Sequence, residues 1–248
     1  MPKTDSEISY IRESSKILSL IFTELERIAS AGISTLEIDK YANFLCRKYK
    51  VKPAFKGYKG YRHTICANVN DIIVHGVPNN RKLKNGDIIG LDMGVIYQGY
   101  YSDMSKTIYI GDVTEEVKRF VEKTYQSMMN GITILKPGIR VGDISYAMRD
   151  GLYDDKFILM EDFVGHGIGK SLHERPNIPG HGLNKGMGDE IKENMVLAIE
   201  SISVMADTNE YFIESDQWTV RTKSGALSAL FEHTVLVTKD GYEILTLS

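Results

Sequence analysis

Five side chains able to bind metal sit where charge is ordinarily excluded. Asp92 and Asp103 lie in Asp87-Ile-Ile-Gly-Leu-Asp-Met-Gly-Val-Ile-Tyr-Gln-Gly-Tyr-Tyr-Ser-Asp103, and His166 lies in Gly165-His-Gly-Ile-Gly169. Glu200 and Glu232 each sit in an apolar run, Val196-Leu-Ala-Ile-Glu200 and Ala229-Leu-Phe-Glu232. A carboxylate in such a run is costly to bury unless something cationic meets it. The four carboxylates carry a charge of −4 and a ligating histidine is neutral, so two divalent cations balance the set. Paired metals about 3.5–4 Å apart are the usual device for activating one water between them. Oxygen donors with one imidazole and no thiolate favour manganese, iron or cobalt, with zinc also compatible. The glycines around His166 are read as letting the backbone come close to the site.

A Tyr-Gln-Gly turn separates the two aspartates, with its centre expected near residues 97 and 98. Asp92 and Asp103 should then oppose each other across a hairpin, with Cβ atoms about 4.5–5.5 Å apart. Two bare carboxylates there repel by about 4 kcal/mol at 4 Å in an effective dielectric near 20. A solvated pair at a sheet edge is the plainer alternative, which the apolar Ile88-Ile-Gly-Leu91 before Asp92 disfavours. Of the other histidines, His75 in Val74-His-Gly-Val-Pro78 and His173 in Leu172-His-Glu-Arg-Pro176 read equally well as site groups or as ordinary polar residues. His233 follows Glu232 on a strand and so points to the opposite face. His63 and His181 lie in turn-like sequence and are expected to face solvent.

The elements that must position these groups are legible from periodicity. Thr4-x-x-Glu7 is a capping box, and Ile8, Ile11, Leu18, Ile21, Leu25 and Ile28 follow at helical spacing. Ser34-x-x-Glu37 opens a second helix to about Arg47. Thr114 with Glu115 and Glu116 opens a third, whose buried face is assigned to Val117, Phe120, Val121, Tyr125 and Met128, and Gly142-Asp143 starts a short fourth to about Leu152. Strands are expected at Asp87–Val95, Tyr100–Tyr109, Met195–Met205, Trp218–Thr222, Leu227–Val237 and Tyr242–Leu247, with Ser224-Gly225 and Asp240-Gly241 as hairpin turns. The motif Gly32-Ile33-x-x-x-Glu37-Ile38 returns as Gly138-Ile139-x-x-x-Asp143-Ile144. This suggests two similar α+β halves, roughly 1–110 and 111–248, in a single catalytic domain spanning 1–248. The fold class is α+β, a central antiparallel sheet covered by helices.

The bulk numbers restrict the setting. A net charge of −3 offers no general footprint for nucleic acid or an anionic membrane. No apolar run approaches the roughly 20 residues of a membrane span, and the N-terminus lacks the basic-then-apolar order of a signal peptide. Cys46 and Cys66 have no zinc-ribbon spacing and read as reduced thiols. The cytoplasm is the expected location.

The chain resembles type I methionine aminopeptidases over nearly its whole length. The resemblance is carried by His75-Gly-Val-Pro, Gly165-His-Gly-Ile-Gly, His173-Glu-x-Pro, Trp218-Thr-Val and Ser228-Ala-Leu-Phe-Glu-His-Thr234, with the five ligand positions above. It implies the pseudo-twofold pita-bread fold and removal of an initiator methionine from nascent chains with a small second residue. It implies a metal-activated water as nucleophile, Glu200 as proton shuttle, His173 as donor to the developing oxyanion and His75 as contact to the amide beyond the scissile bond. The methionine pocket maps onto Phe55, Tyr58, Tyr61, Cys66, Leu172 and Trp218, joined at its edge by His75 and His173. A sodium or potassium ion maps near Asn70, Ile72 and Ser228. The partners implied are nascent N-termini near the ribosome exit, for a monomeric enzyme that needs no specific nucleic acid and no membrane.

Three positions depart from the family pattern. Phe55 stands where a small thiol is frequent, Leu172 where an aromatic is usual and Ser201 where proline is common. Rival readings fit less well. Gly165-His-Gly-Ile-Gly-Lys-Ser171 imitates a phosphate-binding loop, but Val164 occupies the place of its first glycine. The proline-specific relatives carry a histidine four residues before the ligand histidine, and Asp162 stands there. Type II methionine aminopeptidases have a helical insertion between the two glutamates, here separated by only 31 residues. A non-catalytic module on the same fold remains the alternative of a different class.

Overall fold

A computed structural model describes residues 1–152 and 157–247. Four helices are α1 (Asp5–Ile28), α2 (Thr35–Lys48), α3 (Glu115–Thr133) and α4 (Val141–Leu152). The first strands are β1 (Lys52–Pro53), β2 (Cys66–Val69), β3 (Ile72–Val74), β4 (Ile88–Tyr97) and β5 (Tyr100–Tyr109). The remainder are β6 (Ile158–Leu159), β7 (Val164–Gly167), β8 (Glu174–Pro179), β9 (Val196–Val204), β10 (Tyr211–Ile213), β11 (Val220–Thr222), β12 (Ser228–Val237) and β13 (Tyr242–Ile244). The main sheet runs β1-β4-β5-β12-β9-β7-β8, with β2 on β4, β6 on β9 and β13 on β12. Its pairings are antiparallel, and β10, β11 and β3 form a separate small sheet. The α+β class and the helix-covered antiparallel sheet are thus as expected.

Strand alternation puts the helices on one face. Leu91, Met93 and Val95 of β4 pack with Leu18, Phe22, Leu25 and Leu45 from α1 and α2. Leu197 and Ile199 of β9, with Phe231 and Val235 of β12, pack with Phe120, Met128 and Met148 from α3 and α4. The intervening positions, Asp92, Glu200 and Glu232 among them, therefore face away from the helices. Over that face lies the small sheet, where Ile73, Val74 and Val220 meet Ile202 and Leu230.

The short repeated motif marks two similarly bonded corners. The Gly32 N–H donates to Leu83 O and the Leu83 N–H returns to Ile33 O, each at 2.8 Å. One half later Gly138 donates to Ile191 O and Ile191 returns to Ile139 O, at 2.9 and 2.8 Å. Glu37 accepts from the Ser34 N–H at 2.8 Å, and Asp143 from the Arg140 N–H at 2.8 Å. Both glycines have φ near +93°, which a side chain disfavours.

Three details differ from the sequence reading. Gln98 and Gly99, at φ +50° and +85°, form a two-residue turn, and Tyr97 still pairs with Tyr100. The hairpin centre is therefore one residue later than expected. Asp92 opposes Ser105 and Asp103 opposes Gly94, so the aspartates are diagonal neighbours on one face. Ser224-Gly225 is not a hairpin turn, because β11 and β12 belong to different sheets. Tyr125 is 36% exposed, and α3 instead buries Thr124, Ser127 and Gly131. Close packing explains this: a Cβ on Gly131 would lie 2.6 Å from Met148 Cγ, leaving room for small residues only.

The corner bonds should contribute to stability equally in the two halves. Glu37→Ala and Asp143→Ala are each expected to cost about 1 kcal/mol, read from urea denaturation midpoints.

Candidate metal centre and substrate pocket

The register of the four central strands assembles the carboxylates. Glu200 pairs with Glu232 across β9 and β12, Glu232 pairs with Ser105 across β12 and β5, and Ser105 pairs with Asp92. Paired residues share a face, so these side chains line up across the sheet. Asp103 is two positions before Ser105 and so lies on the same face. His166 joins from β7, where it opposes Ala198, two residues before Glu200.

Ligand atoms of Asp103, His166 and Glu232 lie within 4.8 Å of one another, and all three residues are buried. Asp92 and Glu200 line the same cavity of about 410 Å³ and are partly reached by solvent. His166 Nδ1 is 3.0 Å from Gly167 O, which can only accept, so Nδ1 carries the proton. Its Nε2 is left with a free lone pair 3.9 Å from Glu232 Oε1. Asp103 is fixed by reciprocal bonds between its backbone and the Thr234 hydroxyl, at 2.9 and 2.7 Å.

The electrostatics demand a cation. Burial pushes Asp92 well above the usual carboxylate range, and Glu200 adds to the effect. Burial does the same to Asp103 and Glu232, reinforced by their carboxylate neighbours. Glu200 is pushed up to about 7 by burial. Burial drives His166 down to about 4, so it adds no positive charge at neutral pH. Four crowded carboxylates with a neutral imidazole form a donor set that fits two divalent cations.

The glycines around His166 act differently from the sequence reading. A Cβ on Gly165 would lie 2.5 Å from Ala198 O, and one on Gly167 would lie 2.4 Å from Arg175 O. They permit close packing of β7 between β8 and β9, which then aims His166, rather than backbone approach to the metals.

The eight residues assigned to substrate all line the same cavity: Phe55, Tyr58, Tyr61, Cys66, His75, Leu172, His173 and Trp218. Cys66 opposes Asp92 across β2 and β4, and burial raises its thiol far above its ordinary value, so it remains a neutral, soft wall. Tyr61 is held by bonds to Ile65 O and Gly76 O, at 2.9 and 3.3 Å, and meets Trp218 edge-on at 5.0 Å. The His173 ring lies 4.3 Å from that of His166, and its Nδ1 is 3.0 Å from the Tyr58 hydroxyl. His75, at φ +57°, sits at the mouth edge-on to Phe163 and Trp218.

Phe163 and Lys59 also line the cavity and escaped the sequence reading. Phe163 directly precedes β7, and Lys59, at φ +46°, lies in the Gly57-Tyr-Lys-Gly60 turn. Their positions next to recognised site residues were the available signal. Asn70 and Ser228 are brought together away from this cavity, with the Ser228 N–H donating to Asn70 O at 2.7 Å, and Ile72 follows on β3. His233 is buried on the helix side of β12 and bonded through Nδ1 to Thr246 at 2.8 Å, as its strand position required. His63 is not a solvent-facing group: its Nδ1 is 3.1 Å from the Asp39 carboxylate, which also receives the Thr64 and Ile65 N–H groups.

Removing one carboxylate tests the charge argument. A raised carboxyl pKa favours the folded state below the unfolded value and loses that benefit as pH rises through the folded one. In chelated protein, Glu200→Gln should raise the Tm by several degrees above about pH 7, with the advantage vanishing below about pH 4.5. An equal effect at all pH values would contradict a buried, repelled Glu200.

Comparison with known proteins agrees with this geometry. The profile of metallopeptidase family M24 matches residues 9–239. Methionine aminopeptidase 1 of Bacillus subtilis is 40% identical over 245 residues, covering 98% of each chain. A methionine aminopeptidase of Borreliella burgdorferi is 42% identical over 243 residues, covering 98% of this chain and 96% of its own. The crystal structure of methionine aminopeptidase from Rickettsia prowazekii superposes with a TM-score of 0.96 at 34% identity, covering 100% of this chain and 99% of its own. The prolidase of Pyrococcus furiosus, at 23% identity and a TM-score of 0.79, shares the fold. With its ligand set and apolar slot in one cavity, the chain belongs to metallopeptidase family M24, among the methionine aminopeptidases.

Proposed function

We propose that this chain hydrolyses the first peptide bond of proteins beginning with methionine and a small second residue. The supporting observation is the union of the five-ligand cluster with the apolar slot in one cavity. Two divalent ions held by Asp92, Asp103, His166, Glu200 and Glu232 would supply an activated water and a Lewis acid for the scissile carbonyl. Manganese, iron or cobalt suits the donors best, with zinc compatible. The methionine thioether fits the slot of Phe55, Tyr61, Cys66, Leu172 and Trp218, where each sulfur–ring contact contributes about 0.3–1.5 kcal/mol.

The protein's own groups manage the protons. Glu200 takes the proton of the attacking water and passes it to the leaving amine. His173 donates to the oxygen that gains charge, which requires a proton on Nε2. The Tyr58 hydroxyl secures that tautomer by donating to Nδ1. Burial holds the His173 pKa below its ordinary value, so the ring is neutral at physiological pH and its tautomer matters. His75 at the mouth steadies the amide beyond the scissile bond.

The natural substrates are then nascent N-termini in the cytoplasm, met near the ribosome exit. No helix among the described residues is long and apolar enough to cross a membrane. One chain supplies all five ligands and the slot, in keeping with a monomer. A sodium or potassium ion is assigned to the neighbourhood of Asn70, Ile72 and Ser228, supported by the left-handed Asn70 backbone at φ +56° beside Ser228.

The deciding assay is release of free methionine from Met-Ala-Ser by protein loaded with manganese, iron or cobalt. Turnover should be lost on chelation and in Glu200→Gln, while metal should raise the Tm by mass action. No release with any of the three would leave a non-catalytic module. Tyr58→Phe keeps the ring but not the hydroxyl, and should lower kcat by about tenfold with little change in KM. That is less than the roughly 10²–10³ typical for losing an oxyanion donor, and an unchanged kcat would refute the tautomer role.

A further inference from the structure

The segment from Gly169 to His173 joins β7 to β8 and presents Leu172 and His173 to the cavity. Its backbone is tied to β5 where the Tyr101 N–H donates to Gly169 O at 2.8 Å, and its Lys170–Ser171 part is anchored by Glu174. One Glu174 oxygen accepts the backbone N–H groups of Lys170 and Ser171, at 2.8 and 3.2 Å. The other meets the ammonium of Lys3, from the extreme N-terminus. The two side chains are only 8% and 18% exposed, so solvent screens this pair less than a surface one.

Lys3 is itself fixed. Its N–H donates to Asn194 O at 2.7 Å, and the next residue, Thr4, caps α1. Space is reserved for it as well: a Cβ on Gly169 would lie 2.6 Å from both Cε and Nζ of Lys3. The final glycine of the His166 motif therefore admits this side chain. Burial alone would raise the Glu174 pKa, but the bond to Lys3, its charge and the Ser171 and Lys170 N–H groups together hold it below its ordinary value, so the carboxylate stays ionised. A second tie, Lys170 to Glu7 at 2.9 Å, links the same loop to α1, with Lys170 exposed.

We infer that Lys3 is a positioning residue for the reaction: its ion pair with Glu174 fixes the loop that sets His173 and Leu172 against the substrate. The inference rests on the peptidase reading for its effect on turnover, but not for the tether itself. Neither Lys3 nor Glu174 touches the reacting atoms, so the loss should fall on kcat and on loop order. Metal binding should be spared, because the five ligands lie outside this loop.

The test uses fully metal-loaded protein carrying Lys3→Met, Glu174→Gln or both, assayed on Met-Ala-Ser well below every Tm. Each single change should lower kcat by about tenfold, since small misplacements of a reacting group are costly. The double variant should fall no further than the singles, as expected for partners acting as a unit. Hydrogen exchange should quicken at the Lys170–His173 amides in Lys3→Met and stay unchanged at β9 and β12. A kcat within about twofold of the unaltered chain, with only a lower Tm, would make Lys3 a mere stabiliser and overturn the assignment. Unchanged exchange in the loop would overturn the tether whatever the activity. Absence of methionine release from the unaltered chain would instead strike the peptidase reading, and the exchange result would still decide the tether.

Discussion

The crowding of four carboxylates in the middle of a sheet, Asp103 and Glu232 buried and Asp92 and Glu200 partly reached by solvent, is the constraint around which this molecule is arranged. Asp92, Asp103, Glu200 and Glu232 crowd the middle of a sheet, and no cationic side chain lines the cavity beside them except Lys59 at its edge. Left alone, such groups retain protons, as the raised values at all four positions show. The sequence tolerates this cost in the middle of the main sheet, where β5 pairs with β12. A site so unfavourable in isolation is one built for a multivalent cation.

The two sides of the cluster are built alike but not identically. Asp92 and Glu200 each sit four residues into their strands, β4 and β9, on either side of the central β5–β12 pair. In the second half, Glu200 faces a carboxylate, Glu232; in the first, Asp92 faces Ser105. The missing carboxylate reappears as Asp103, one pleat away. The imidazole then comes from one side only, on β7 beside β9. Two related halves thus yield an unsymmetrical ligand set, which lets one side of the cluster be open to substrate.

Much of this was legible because it depends on local pattern. The α1 and α2 capping boxes, the apolar strands and the carboxylates lodged in them are signals within about ten residues. The candidate ligands stand out because a charge inside Val-Leu-Ala-Ile-Glu is anomalous wherever the strand goes. What escaped reading depends on three-dimensional spacing. The diagonal placement of Asp92 and Asp103 turned on whether Tyr97 pairs or turns, a one-residue matter of hairpin geometry. The role of Gly165 and Gly167 was hidden because the carbonyls they accommodate, on Ala198 and Arg175, come from β9 and β8. Tyr125 was misplaced since helical spacing gives a face but not its depth: the ring meets Phe231 edge-on at the rim of the core and stays 36% exposed. Phe163 had only its nearness to His166 in the chain to mark it.

The register between β2 and β4 joins the apolar slot to the metal cluster. Cys66, a wall of the apolar slot, is the direct cross-strand partner of Asp92, a wall of the metal cluster. Neighbouring strands stand about 4.8 Å apart, so the slot begins one strand away from the charged cluster. A side chain filling that slot has its own carbonyl beside the carboxylates, and the cavity behind it is closed by buried Phe55, Tyr61 and Leu172. The register of β2 on β4 thus sets an apolar slot directly beside the metal cluster, with Phe55 and Leu172 among its buried walls. The same geometry gives weight to the Lys170–Glu174 connection, because it presents Leu172 and His173 to the cavity.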